Sequence, residues 1–326
     1  MVKVSVILTA FNEERYIKKA IESILNQTLT DFELIVVNDG STDSTLDIIK
    51  SFDDERLKII DQENLGPGAS RNKALKEAVG EYIMYLDGDD WYHTEALEIA
   101  YAEAKDNNTD FTFYQMINYD DKTGKIYEND WFDLTIFDES FEERVFKAAD
   151  YEGSIFDMSV GVCQKIYDAS FLRRIDARFP EGIFFEDMPF FYYVLLKAER
   201  ISIIKRHLYY RRKHDASITH VVDEKFLDTV PAGQELIRIF IENGWYDLYK
   251  FDLLAYKING PRFALRDIKE NYKIPLYNLI KKDYLSIKET QYYQDFLDNL
   301  GPVKKKFFLD IINSQDYDEF KTLNQA

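Results

Sequence analysis

The chain has 326 residues, of which 59 are acidic and 41 basic, for a formal net charge of −18. So acidic a chain repels polyphosphate backbones, which excludes general nucleic-acid binding, although one nucleotide can still be held where a cation neutralises its phosphates. The single cysteine, Cys163, excludes an intrachain disulfide, and an apolar share of 46% suffices for one large domain with a smaller one appended.

Aromatic residues make up 15% of the chain, with 23 Tyr and 24 Phe. Tyrosine joins a flat apolar face to a hydroxyl and so suits sugar or partner surfaces, though core packing accounts for such a composition as well. The opening Met1-Val2-Lys3-Val4-Ser5-Val6-Ile7-Leu8 lacks a signal peptide's apolar stretch and cleavage site. No apolar run approaches the roughly 20 residues that cross a bilayer. The expected location is therefore cytoplasmic, with a peripheral position at the inner face of the membrane compatible with it.

In chain order, short apolar runs at 4–9, 32–37, 57–60, 82–86 and 111–116 read as strands. Helical patterns lie between them at 14–26, 42–52, 68–79 and 94–105; in the first, Ile17, Ile21, Ile24 and Leu25 form one apolar stripe. Alternating strand and helix predict an α/β fold with a mainly parallel sheet and flanking helices. Ligands of such sheets bind beyond the C-terminal ends of the strands. From 117 to 141 the pattern breaks into polar, acidic and aromatic sequence, and 153–220 returns to mixed strands and helices. Beyond 221 helical patterns dominate. The expected division is a domain over 1–220, with a nucleotide-binding half at 1–117 and an acceptor and catalytic half at 118–220, followed by a helical region at 221–326.

Four segments carry chemistry. In Val36-Val37-Asn38-Asp39-Gly40-Ser41-Thr42-Asp43-Ser44 a buried strand ends in a polar turn. Asp39 projects from the strand end, where a carboxylate can accept a hydrogen bond from a pyrimidine N–H; the same turn also serves to cap the next helix through Ser41 or Asp43. In Asn64-Leu65-Gly66-Pro67-Gly68-Ala69-Ser70-Arg71-Asn72 a tight loop leads into a helix with Arg71 in its first turns. Helix N-termini attract anions and a guanidinium adds a bidentate donor, but the segment is neither a P-loop nor a dinucleotide fingerprint. Tyr82-Ile83-Met84-Tyr85-Leu86-Asp87-Gly88-Asp89-Asp90 delivers three acids within four residues. Such crowding favours a shared hard cation such as Mg²⁺ or Mn²⁺, against the plainer reading of a solvated acidic turn. In Phe184-Phe185-Glu186-Asp187-Met188-Pro189-Phe190-Phe191 two acids open a helix with Pro189 in its first turn. They complement the helix dipole, or one is a general base whose pKa the surrounding aromatics keep from falling.

Together, and in this order, the four segments resemble the nucleotide-sugar glycosyltransferases of GT-A family 2, bacterial cell-surface glycan branch. The turn 38–43, the segment 64–72, the Asp-x-Asp-Asp of 87–90 and the Glu186-Asp187 pair match its pattern, as does Val6-Ile7-Leu8-Thr9-Ala10-Phe11-Asn12 at the first strand. The resemblance covers about 3–220 and implies a Rossmann-like GT-A domain. It implies that Thr9, Ala10, Asn12 and Asp39 line the donor's base with Arg71 nearby, and that Asp87 touches the ribose or approaches the metal. Asp89 would coordinate Mn²⁺ or Mg²⁺ on the diphosphate of a nucleotide sugar, by family habit a UDP-sugar. Asp187 would be the base of an inverting single displacement, with Glu186 supporting it or holding the sugar.

Tyr209-Tyr210-Arg211-Arg212-Lys213-His214-Asp215-Ala216-Ser217-Ile218-Thr219 resembles the family's loop over the diphosphate. It implies Arg211 and Arg212 as phosphate clamps and His214 as a further metal ligand, although a surface basic loop explains His214 more simply. Lys165-Ile166-Tyr167 with Phe171-Leu172 resembles a segment of polysaccharide transferases and puts Lys165 on the acceptor side, where a glycan or lipid-linked acceptor is expected; a strand–helix corner explains it equally. The C-terminal region lies outside the resemblance. Tyr272, Tyr277, Tyr284, Tyr292 and Tyr293 with intervening lysines would fit a membrane or oligomer contact, and ordinary helical packing accounts for them more simply. A sugar nucleotidyltransferase is disfavoured because Thr9-Ala10-Phe11-Asn12-Glu13 lacks a Gly-rich, Arg-containing loop. A silent scaffold is disfavoured by the joint presence of Asp39, Asp87, Asp89 and Asp187.

Overall fold

A computed structural model describes residues 1–129, 131–142, 144–214 and 222–325. The chain divides into two compact units, one of Met1–Gly182 with Glu186–His214, the other of Ile183–Phe185 with Asp215–Ala326.

The first unit opens with β1 (Val4–Ala10), α1 (Ile17–Leu25), β2 (Phe32–Asp39), α2 (Thr45–Lys50), β3 (Leu57–Gln62), α3 (Pro67–Glu77) and β4 (Tyr82–Asp87). There follow β5 (Trp91–Tyr92), α4 (Ala96–Asp106), β6 (Phe111–Asp120), β7 (Ile126–Tyr127), β8 (Lys165–Asp168), α5 (Ala169–Arg174), α6 (Asp187–Lys197) and β9 (Ile201–Lys213). The local sequence explains the regular part. Ile17, Ala20, Ile21 and Ile24 put one stripe of α1 into the core, and all eight residues of β2 are buried, as a central parallel strand covered on both faces requires.

One sheet runs in the order β3-β2-β1-β4-β8-β6-β9-β5, with β7 on β6. The first four strands are parallel, as the alternation predicts. Beyond them the sheet is mixed: β8 enters antiparallel between β4 and β6, while β6 and β9 are parallel to each other. Two antiparallel steps restore direction, so β1, β2, β4, β6 and β9 all end at the same edge. β8 begins there. The strand read at 111–116 extends to Asp120, because its outer half alternates buried and half-buried residues and is completed by pairing with β9.

The second unit is helical, with α7 (Thr229–Glu242), α8 (Tyr246–Asp267), α9 (Glu270–Lys288), α10 (Tyr293–Asn299), α11 (Pro302–Asn313) and α12 (Tyr317–Gln325). Lys257 of α8 and Asp283 of α9 form a buried ion pair at 2.8 Å, and Gln234 of α7 donates to the other carboxylate oxygen at 2.8 Å. Tyr277 and Tyr284 are core residues of this unit, which removes them from the expected interfacial surface; burying such rings is what the helices need to pack. Among the described residues no helix is long and apolar enough to cross a membrane.

Candidate active site

The acids and bases of the first unit gather at the common strand edge. Register sets Thr9 beside both Val37 and Asp87, and Ala10 beside Asn38. The turns after β1 and β2 are stitched together: Asn12 N donates to Ser41 Oγ at 3.0 Å and Thr42 N to Asn12 Oδ1 at 2.8 Å. Asn12 therefore shapes the pocket wall through its turn. Asp43, one residue before the N-cap Ser44, accepts through Oδ1 from Thr45 N at 3.0 Å and so satisfies the first N–H of α2.

Asp39 is buried and fastens the following loop. Its Oδ1 accepts from Gln62 Nε2 at 2.8 Å and Leu65 N at 2.9 Å, and its Oδ2 from Gly66 N at 2.9 Å. A carboxylate offers about four acceptor positions, so one remains for a ligand N–H. Gly40, at φ +73°, is required here, since a Cβ would stand 2.6 Å from Asn64 N. Next to this turn lies an open depression of about 510 Å³ lined by Asn38, Ser41, Asp61 and Gln62 among others. None of the acids at 87–90 or 186–187 lines it.

α3 ties the two halves of the site together. Arg71, 6% exposed, donates through one guanidinium nitrogen to Asp87 Oδ1 at 2.9 Å and through the other to Glu186 Oε1. Asn72 donates to the Phe179 carbonyl at 2.8 Å and accepts from Phe179 N at 2.9 Å, which secures the approach to α6. Gly68 lets this helix come close: a Cβ there would lie 2.2 Å from the Pro180 carbonyl oxygen. The Asp187 carboxyl, at the start of α6, is pushed up to about 7, first by burial and then by the charge of Glu186, with Arg71 and Lys165 opposing.

Lys165 stands in the wall of the site. It is fully buried, with its Nζ on the carbonyls of Ser159 at 2.9 Å and Gly161 at 2.7 Å and against the Phe113 and Phe191 rings. Burial lowers its pKa to about 7. The expected acceptor-side ammonium is thus internal, held where backbone carbonyls replace its hydration.

The three acids after β4 have separate fates. Asp87, at the strand end, keeps a 42% exposed side chain beside Arg71. Asp90 turns inward, accepting from Tyr209 Oη and Arg212 N at 2.6 Å each, and burial raises its pKa well above the ordinary range. Asp89 turns to a different partner, its Oδ2 3.0 Å from His214 Nε2, with the Asp89 side chain 20% exposed and that of His214 9%. Crowding alone favours a cation shared among these acids; the backbone turn withdraws Asp90 and leaves Asp89, the residue to which the family resemblance assigns the ion. Among the described residues no group of three or more His, Cys, Asp or Glu side chains is placed to hold a metal. Asp89 and His214 nonetheless fit an ion that arrives with a diphosphate, since Mg²⁺-type ions take one or two protein donors and complete their shell with phosphate and water.

Arg212, expected as a phosphate clamp, is buried and occupied. Its Nε donates to the Asp89 carbonyl at 2.9 Å, its NH1 to Asp121 Oδ1, and its guanidinium lies 4.5 Å from the Tyr16 ring and 4.8 Å from that of Trp91. Arg211 is half-buried, 5.2 Å from the Phe132 ring. The remainder of the expected loop, 215–219, lies outside the described residues. Sequence reasoning missed Glu13, Tyr16 and Asp121. Burial and then the charges of Asp89, Asp87 and Asp43 push the Glu13 carboxyl up to about 8. No local pattern marks any of the three; only the folded register of β1, β6 and β9 brings them in.

Comparison with known proteins places this edge in context. The family model described as glycosyl transferase family 2 matches residues 5–170, which stops short of α6 and β9. The putative glycosyltransferase EpsH of Bacillus subtilis is 32% identical over 77% of this chain and 72% of its own length. Glycosyltransferase GlyA of Streptococcus pneumoniae is 28% identical over 81% of this chain, which spans only 39% of that protein. Residues 1–349 of Staphylococcus aureus TarS, solved in complex with UDP-GlcNAc, share the fold with a TM-score of 0.72 at 23% identity, covering 99% of this chain and 90% of that one.

Proposed function

Because the chain belongs to glycosyl transferase family 2, we propose that it is a metal-dependent, inverting glycosyltransferase that moves a sugar from a nucleotide diphosphate donor to a cell-surface glycan, polymer or lipid-linked acceptor. The observation that carries this reading is the Arg71 bridge. It joins Asp87, two residues from the Asp89–His214 pair, to Glu186, next to Asp187. A site for anionic phosphates and a site for proton removal are thereby held in one frame.

The residue roles follow from chemistry. Thr9, Ala10 and the remaining acceptor position of Asp39 would border the base, and a pyrimidine N–H donating to Asp39 agrees with UDP, the nucleotide carried by the TarS complex. Asp89 and His214 would hold Mn²⁺ or Mg²⁺, which when bound supplies positive charge to the departing diphosphate. The solved mannosyltransferase PcManGT of Pyrobaculum calidifontis, with a TM-score of 0.55, is in complex with GDP-Man and Mn²⁺. Asp187, with a pKa near 7, is matched to taking a proton from an acceptor hydroxyl at neutral pH, as an efficient general base should be. Attack by that oxygen as the diphosphate leaves from the opposite side inverts the anomeric carbon. Lys165 acts from behind, holding the 159–161 segment that walls the acceptor side. Such donors reside in the cytoplasm, so the enzyme would meet its acceptor at the inner face of the membrane.

The test is UDP release from a panel of UDP-sugars, with and without Mn²⁺. Turnover that needs the ion and vanishes with chelator supports the reading. Turnover of no donor by folded protein, or turnover indifferent to chelator, contradicts it.

A further inference from the structure

Asp121 follows directly on β6, where the register pairs Asp120 with Lys213. Its backbone N donates to the Lys213 carbonyl at 3.0 Å. Its two carboxylate oxygens hold different elements: Oδ2 accepts from Tyr16 Oη, at the start of α1, at 3.1 Å, and Oδ1 accepts from Arg212 NH1. Both partners bear on the acidic turn. Arg212 bonds the Asp89 carbonyl and, through its backbone N, the Asp90 carboxylate. The Tyr16 ring lies 4.7 Å from the ring of His214, whose Nε2 meets Asp89. The Asp121 side chain is 20% exposed and that of Arg212 8%, and both oxygens of the carboxylate are already taken up by Tyr16 and Arg212.

We infer that Asp121 is a positioning residue for the diphosphate–ion site: by binding Tyr16 and Arg212 together it fixes the end of β9, and with it His214, against Asp89. The inference rests on the ion site proposed above. The carboxylate touches neither donor nor ion; it sets the separation of two groups that do. Partners of this kind behind metal ligands typically contribute 10–100-fold in metal affinity.

The experiment follows Mn²⁺ binding to the full chain in the presence of UDP, by the electron paramagnetic resonance signal of free Mn²⁺, for wild type and for D121A, D121N, Y16F and D89A. D121A is expected to weaken Mn²⁺ binding by roughly 10–100-fold. D121N, which keeps an acceptor for Arg212 but loses the charge, should fall between D121A and wild type, and Y16F should show the smallest loss. In turnover, D121N should raise the Mn²⁺ and donor concentrations needed for half-maximal rate while kcat at saturation stays near wild type. Unchanged Mn²⁺ binding in folded D121A overturns the inference, as does a loss of kcat that saturation does not restore. If D121A does not fold, D121N and Y16F decide by the same criteria. D89A separates the premises: if it binds Mn²⁺ as wild type does, the ion site itself is wrong; if it loses binding while the Asp121 variants do not, only the positioning role is wrong.

Discussion

In the helical unit, Lys257 and Asp283 neutralise each other and Gln234 occupies the second carboxylate oxygen; Ser314 is the other fully buried polar residue described there. In the α/β unit, Asp39, Arg71, Asp90, Lys165, Glu186 and Arg212 are all buried near one sheet edge, and Asp87 lies close enough to act on the charge of both Glu13 and Asp187. The first arrangement closes on itself. In the second, burial first and neighbouring carboxylates next push two carboxyls up to about 7 and 8, a perturbation of the kind that sites for a ligand or a reaction display. A buried charge becomes informative about function when its neighbours fail to neutralise it.

The largest expected effect is on chemistry at the open edge. Asp187→Asn should lower turnover roughly 10²–10⁴-fold while UDP binding persists. Initial rates and a binding titration on the same protein check this, and normal turnover would collapse the distinction between the two units. Next comes stability in the closed arrangement. Lys257→Ala should destabilise the helical unit by about 3–5 kcal/mol, because Asp283 is left buried without its counter-ion, whereas Lys257→Met with Asp283→Leu should recover most of the loss. Denaturant unfolding followed by far-UV circular dichroism reads both; an indifferent Lys257→Ala would mean that the pair is not closed.

Two pH effects are smaller and sharpen the comparison. With the Asp187 pKa near 7, kcat/KM should rise with pH through about 7 as the base ionises, with one proton lost. A profile flat between pH 6 and 8 contradicts this. Stability should move the other way. A carboxyl whose folded pKa lies above its unfolded value destabilises the fold as pH rises from the unfolded pKa to the folded one. Asp187→Asn should therefore raise the melting temperature over wild type at pH 8 and change it little at pH 4, as thermal melts would show.

Much of this was legible before folding. β1, β2 and β4 announce themselves as apolar runs alternating with helices, because strands covered on both faces must be almost continuously apolar, whereas the edge strand β3 is exposed or half-buried throughout and is marked only by its short apolar centre. The antiparallel insertion of β8 was not legible, since four residues carry no periodicity and their partners on β4 and β6 are remote in sequence. The site shows the same limit. Asp89 and Asp90 are identical neighbours in sequence, yet one faces His214 and the other Tyr209, and only the backbone turn decides which. Arg212 reads as a basic loop residue until Asp121 and three aromatic rings are seen to enclose it.

The central claim, that Asp89 and His214 form an ion-dependent diphosphate site, is most directly tested by the thermal stability of the protein with UDP, in Mn²⁺ and in chelator, for wild type and Asp89→Ala. At 100 times its dissociation constant UDP should add about 2.7 kcal/mol of stability to the wild type when Mn²⁺ is present. Most of this gain should disappear with chelator and in Asp89→Ala. An equal gain in all three conditions, or none with any nucleoside diphosphate, would contradict it.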